Sequence, residues 1–251
     1  MVPKENVLRV REEIEFVCRK VKRSPGEITL IAVVKEANLA QIKEAINAGI
    51  FDLGENKVRE ALIKYNQLNT QHPRLTPART TFSRARSFGQ AIRNTLKWHM
   101  IGHLQTNKVK EAVRIFDLIH SVDSQHLAEE INKQAKKINK IQDILIEVNT
   151  SGEKTKFGLK PDETIEVIKK ASEFKNIRIN GLMTIAPLSN NPEEARPYFK
   201  MLRELKEKIV VKLGIGNWEL GILSMGMSQD YKVAIEEGAT IVRIGRAIFG
   251  S

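Results

Sequence analysis

Thr29-Leu30-Ile31-Ala32-Val33-Val34 runs apolar and largely β-branched without a break, then ends on a charge, Lys35. A strand with one wet face alternates polar and apolar residues. One that is apolar on both faces suits a strand buried in a parallel sheet. Upstream, Val7, Val10, Ile14, Val17 and Val21 recur at spacings of three and four, which predicts a helix that Ser24-Pro25-Gly26 stops. Downstream, a helix pattern (Leu39, Ile42, Ala45, Ile46) ends at Gly49 and leads to a short strand, Ile50–Leu53, closing at Gly54-Glu55-Asn56. The same alternation continues through strands Trp98–Ile101, Leu118–Val122, Ile144–Val148, Ile179–Met183, Leu220–Ser224 and Thr240–Ile244, with helix patterns between them. Eight β segments interleaved with helices predict an α/β fold: a (β/α)8 TIM barrel, one domain over residues 1–251. The N-terminal helix would pack where a final helix otherwise lies. An open doubly wound sheet is the structural rival, and the count of eight favours the barrel.

Composition excludes several function classes. Cys18 is the only cysteine, which rules out an intramolecular disulfide framework, a Cys-based zinc site and an iron–sulfur cluster. Its place beside the apolar stripe of the first helix reads as a small buried hydrophobe. The longest apolar runs, such as Ile144–Ile146, fall far short of the roughly 20 residues a membrane span needs. Met1-Val2-Pro3-Lys4-Glu5 lacks an apolar signal core, so a cytoplasmic protein is expected.

The formal net charge of +11 invites a nucleic-acid reading, but the excess is local. Between Ala61 and Leu96 there is no Asp or Glu, while Lys64, Arg74, Arg79, Arg84, Arg86 and Arg93 supply six of those charges and leave +5 for the rest. Residues 66–97, rich in Thr, Pro, Arg and Ser, break the αβ rhythm and read as a long, solvated, basic excursion. Beyond Phe82 and Phe88 its arginines lack an interleaved aromatic platform, which argues against nucleic-acid binding.

In such a barrel, functional residues gather at the C-terminal ends of strands. Those ends are Lys35, Asn56, His99 with Gly102, Ser121 with Asp123, Asn149, Met183 with Thr184, Ser224, and Arg243 with Gly245. Apolar residues carry Lys35 into the mouth, where burial would favour a neutral, nucleophilic amine able to form an imine. The plainer reading is a lysine snorkelling to solvent. Arg243-Ile244-Gly245-Arg246 and the adjacent Ser224-Met225-Gly226-Met227-Ser228 turn tip the balance, since amides after strands seven and eight commonly hold a phosphate. Together these features suit a phosphorylated aldehyde.

Eight stretches, in order along nearly the whole chain, carry a more specific signal: Ile31–Lys35, Leu53–Asn56, Trp98–Lys108, Ile119–Asp123, Val148–Glu153 with Lys156–Leu159, Gly181–Thr184, Leu223–Ser228 and Ile241–Gly250. With them the sequence resembles the pyridoxal 5'-phosphate (PLP) homeostasis protein family, the single-domain relatives of alanine racemase's barrel. The resemblance implies a fold-type III PLP-binding barrel in which Lys35 forms the internal aldimine and Arg243 faces the pyridine nitrogen. It also implies phosphate contacts around Ser224, Ser228, Gly245 and Arg246, with Asn56 and His99 near the ring. A cation at that nitrogen disfavours ring protonation and makes the cofactor a weaker electron sink. Two departures stand out. The connection over residues 66–97 is longer than the family's usual one, and no C-terminal β-domain like that of the racemases is expected, so the tyrosine acting as their second acid/base has no counterpart.

The first functional reading is therefore a non-enzymatic PLP carrier in intracellular PLP and amino-acid homeostasis, monomeric, with PLP-dependent apo-enzymes as partners. The alternative is a PLP-dependent amino-acid racemase or lyase, which would need another proton-transfer group; His99 or His103 is the candidate. A Schiff-base aldolase that takes a sugar phosphate is the third reading. The His99/His103 pair has metal-ligand spacing, but the intervening Gly102 and the strand-end setting argue against a metal site, and His103 also reads as a cap for the helix beginning near Thr106.

Overall fold

The computed structural model describes residues 2–70, 96–214 and 220–250. Eight parallel strands close into a barrel in chain order, β1 (Thr29–Val33), β2 (Asp52–Glu55), β3 (Lys97–Met100), β4 (Leu118–Val122), β5 (Gln142–Glu147), β6 (Ile177–Met183), β7 (Ile222–Ser224) and β8 (Ile241–Ile244). Closure is direct: Leu30 of β1 pairs with Val242 of β8, and Ile31 with Arg243. Among the described residues the helices are α1 (Pro3–Lys20), α2 (Leu39–Asn47), α3 (Val58–Thr70), α4 (Val109–Ile115), α5 (Gln125–Lys137), α6 (Thr164–Ala171), α7 (Arg196–Leu213), α8 (Tyr231–Glu236) and α9 (Arg246–Phe249).

Local chemistry sets these boundaries. Pro3 opens α1 in its first turn, where a missing N–H costs nothing. Asn38 and Gln41 cap α2 reciprocally, each side chain accepting the other's backbone N–H at 3.0 Å. The apolar stripe of α1 is buried, Cys18 included, and burial pushes the Cys18 thiol up. As expected, α1 lies where a closing helix would: Asn6 donates to the Ile248 carbonyl of α9 at 2.8 Å, and Tyr231 of α8 hydrogen-bonds Glu13.

Two packed layers result. The larger apolar cluster lies between strands and helices and takes the outward strand residues, such as Ala32, Leu53, Ile119, Ile144, Ile146, Val242 and Ile244. A smaller one fills the barrel interior with Ile31, Leu118, Leu145, Met183 and Ile241. That interior is crowded. A Cβ on Gly54 would meet Ile31 Cγ2 at 2.8 Å, and a Cβ on Gly181 would meet the Ile222 carbonyl oxygen at 1.9 Å.

The basic excursion needs a correction at both ends. Residues 66–70 belong to α3, because the helix runs on to Thr70, and Lys97 opens β3 through its N–H to the Phe51 carbonyl at 2.8 Å. Of the rest of the excursion, residues 71–95 lie outside the described residues.

Gly181 marks the tightest approach between β6 and β7. Gly181→Ala is predicted to lower unfolding free energy by about 3 kcal/mol through overpacking against backbone that cannot yield. A denaturant midpoint within error of the parent would contradict this packing.

Candidate functional site

Five polar side chains interrupt the apolar interior and form one chain of hydrogen bonds. Arg243 Nη1 donates to Ser224 Oγ at 2.6 Å. Ser224 Oγ meets His120 Nδ1 at 2.9 Å, His120 Nε2 meets His99 Nδ1 at 3.0 Å, and His99 Nε2 meets Asp52 Oδ1 at 2.9 Å. Arg243, Ser224, His120 and His99 are all buried.

With both imidazoles neutral, the direction of this chain follows from its last member, because the Asp52 carboxylate only accepts. His99 donates to it from Nε2 and so accepts at Nδ1 from His120 Nε2. His120 Nδ1 then accepts the hydrogen of Ser224 Oγ, which in turn accepts from Arg243, a guanidinium with only hydrogens to give. In this arrangement the Asp52 carboxylate sets both tautomers. The chain spans the barrel: Asp52 begins β2 on the floor, while Arg243 Nη2 donates to the carbonyl of Thr184, just past β6 at the mouth, at 2.9 Å.

Arg243 is a buried cation, and no carboxylate is ion-paired with it among the described residues. Burial pulls it down to about 10, and the nearby Asp230 and Glu147 charges oppose that shift. It stays charged at neutral pH. Two of its five N–H groups go to Ser224 and Thr184.

The remaining expected residues divide between the rim and the outside. Lys35 follows on the inward row Ile31–Val33 of β1, the strand adjoining β8. The burial expected there is not found: its side chain is 47% exposed and its ammonium sits 3.3 Å from Glu36 Oε1. Asn56 packs under the loop after β3, where a Cβ on Gly102 would meet the Asn56 carbonyl oxygen at 2.6 Å. Ser228 Oγ accepts the Ala247 N–H at 3.2 Å and so ties the turn after β7 to the first turn of α9, beside Gly245 and Arg246. Ser224 differs from Ser228. In that arrangement its hydrogen goes to His120.

His103 does not cap a helix. Its Nδ1 lies 3.2 Å from Asp123 Oδ2, and its ring stacks on Phe157 at 3.7 Å and 10°. Beyond it, at the end of β5, is a carboxylic acid that strand-end reading passed over. Glu147 is 5% exposed with Oε2 lacking a hydrogen-bond partner. Burial, reinforced by Asp123 and opposed by Arg243, raises its carboxyl to about 7. His120 and Asp52 were also missed, being internal or floor positions. Counting by two from Leu118 would have placed His120 inside the barrel.

The alanine racemase N-terminal domain family matches residues 9–251. A protein of Aquifex aeolicus named pyridoxal phosphate homeostasis protein is 42% identical over 246 residues, covering 98% of this chain and 96% of that protein. The chain belongs to that family. The solved structure of PipY from Synechococcus elongatus, described as having PLP bound, superposes with a TM-score of 0.75 at 32% identity over 95% of this chain and all of that one. An alanine racemase of Clostridium difficile shares the fold alone, with a TM-score of 0.68 at 14% identity; this chain spans 98% of itself and 57% of the racemase.

Within this family frame, two buried groups carry opposite pH dependence. Burial, then His99 and Arg243, hold the His120 imidazole well below its usual 6.5. Its contribution to stability is complete above that value and is lost as pH falls. The Glu147 carboxyl is raised from 4.5, so its contribution is complete below 4.5 and is lost as pH rises to about 7. Glu147→Gln removes only the second effect. The variant is predicted to match the parent near pH 4 and to exceed it by up to about 3 kcal/mol near pH 8, read from denaturant midpoints. Equal stability of the two proteins near pH 8 would contradict the assignment.

Proposed function

We propose that residues 1–251 work as one barrel that binds PLP in its mouth, anchors it at Lys35 and holds it as a reserve for PLP-dependent apo-enzymes in the cytoplasm. The single observation that carries this reading is a buried Arg243, in no ion pair among the described residues, on the strand adjoining the one that leads to Lys35. The residues suit the group. PLP, when bound, supplies an aldehyde for a primary amine, an electron-poor ring with a basic nitrogen, and a phosphate dianion. Lys35 is the primary amine, accessible at the rim. Arg243 has N–H groups left over for an acceptor and keeps its own charge. Ser228, Gly245 and Arg246 lie together after β7 and β8, where backbone N–H groups favour an anion. Asn56 borders the same rim, while Ser224 and His99 act through Arg243 by fixing where its guanidinium sits. The names and the bound PLP of the relatives support the same reading.

A carrier rather than an enzyme is favoured by His99, whose ring nitrogens are both engaged and so not free to serve as a second acid/base. His103, oriented by Asp123 through Nδ1, belongs with the enzyme reading. The proposed carrier acts as a monomer, without a partner subunit's residue in the mouth.

One observation favours the second reading, a PLP-dependent racemase or lyase. Glu147, buried between Asp123 and Arg243, can hold or release a proton near neutral pH. Hydrogen exchange at the α-carbon of amino acids in deuterated water, faster than with free PLP and lost in Glu147→Gln, would establish it.

The purified protein mixed with PLP is predicted to develop a visible absorbance band that Lys35→Ala abolishes. Arg243→Gln is predicted to keep the band but move its maximum, because the charge beside the ring is gone. A band that survives Lys35→Ala, or a colourless parent protein, would refute the reading.

A further inference from the structure

On the far side of the strand end that carries Lys35 lies a buried ion pair outside the barrel. Glu55, the last residue of β2, is fully buried, and its Oε1 hydrogen-bonds Lys64 of α3, whose side chain is 16% exposed. An ammonium has three hydrogens. Lys64 uses them on three acceptors: Glu55 Oε1, the Val34 carbonyl at 2.5 Å and the Lys35 carbonyl at 3.3 Å. Glu55 Oε2 accepts the Asn56 N–H at 3.0 Å.

The two carbonyls are where β1 leaves the sheet. Val34 makes the strand's last ladder bond, from its N–H to the Gly54 carbonyl at 2.9 Å, and beyond it the chain turns. The carbonyls that follow are held by no strand neighbour: that of Val34 takes the Ala37 N–H of the turn at 3.1 Å and Lys64 from behind, and that of Lys35 takes Lys64. The same pair fixes the N–H of Asn56, the adjoining rim residue. A solvated surface lysine would do none of this, although Lys64 reads from sequence as one more charge of the basic stretch.

We propose that Lys64 is a positioning residue for Lys35: held by Glu55, its ammonium clamps the end of β1 from outside the barrel and sets where the Lys35 amine stands in the mouth. This rests on the reading of Lys35 as the PLP anchor.

Removing Lys64 alone would leave Glu55 buried and unpaired, so the test uses Lys64→Met with Glu55→Gln, which removes both charges and keeps the volume. PLP is titrated into the parent and the double variant, following visible absorbance and the circular dichroism of the same band, which reports how the ring is held. The double variant is expected to need roughly tenfold more PLP for half-saturation, as for loss of a charged hydrogen bond. At saturation its dichroism per unit absorbance is expected to fall. Lys64→Arg provides a second variant that keeps the charge and the fold. A planar guanidinium cannot serve three acceptors grouped around one nitrogen, so a smaller fall of the same kind is expected. Parent half-saturation and parent dichroism in either folded variant would overturn the proposal. A parent protein that shows no visible band at all would instead overturn the reading of Lys35 itself.

Discussion

A positive charge inside a closed barrel is the constraint on which the rest of this structure depends. Taking a guanidinium out of water is costly unless its hydrogens find acceptors. In this fold they find neutral ones. Ser224 Oγ and the Thr184 carbonyl receive Arg243, so its charge is held in place without being cancelled. The consequences reach well beyond contact distance. Arg243 can only donate and the Asp52 carboxylate can only accept, so with neutral imidazoles the hydroxyl and both rings between them point their hydrogens down to the barrel floor. The mouth is organised in the same way. Thr184 Oγ1 donates to the Val148 carbonyl at 2.8 Å and so accepts from Thr150 Oγ1 at 2.9 Å. The loop after β5 is thereby tied to the strand end that receives Arg243.

Two ion systems of different kinds hold the rim. Inside, Arg243 is a cation without an ion-pair partner among the described residues, held by neutral acceptors. Outside, Lys64 and Glu55 neutralise one another, and the result is geometric, a strand end fixed where the sheet no longer fixes it. Lys35 lies between them with its backbone clamped and its side chain half exposed. The proposed role of Lys35 as the PLP anchor calls for both properties, a fixed base and an open tip.

Much of this was legible in the residues. The eightfold alternation predicted a closed parallel barrel, and the rule that chemistry gathers at C-terminal strand ends picked out Lys35, Ser224 and Arg243. That rule has a physical limit, since it reads only the last residue of each strand. His120 sits mid-strand and Asp52 at a strand start, so the interior chain was invisible to it, although the two-residue period of β4 contained the signal for His120. Glu147 is the last residue of β5, but the apolar run into Val148 put the strand end one residue late. Lys35 stands more open than its apolar approach suggested, because β1 ends at Val33 and the chain turns outward. Lys64 gave no signal of its own. Its partner lies nine residues back across a strand-to-helix turn, and only the fold brings the two together.

On the proposed reading, the buried cation of the interior and the clamped rim converge on one amine, Lys35. Mass spectrometry of the PLP-loaded protein after borohydride reduction tests that convergence most directly. The account predicts a single pyridoxyl adduct, on the peptide carrying Lys35. An adduct on any other lysine, or no adduct at all, would contradict it.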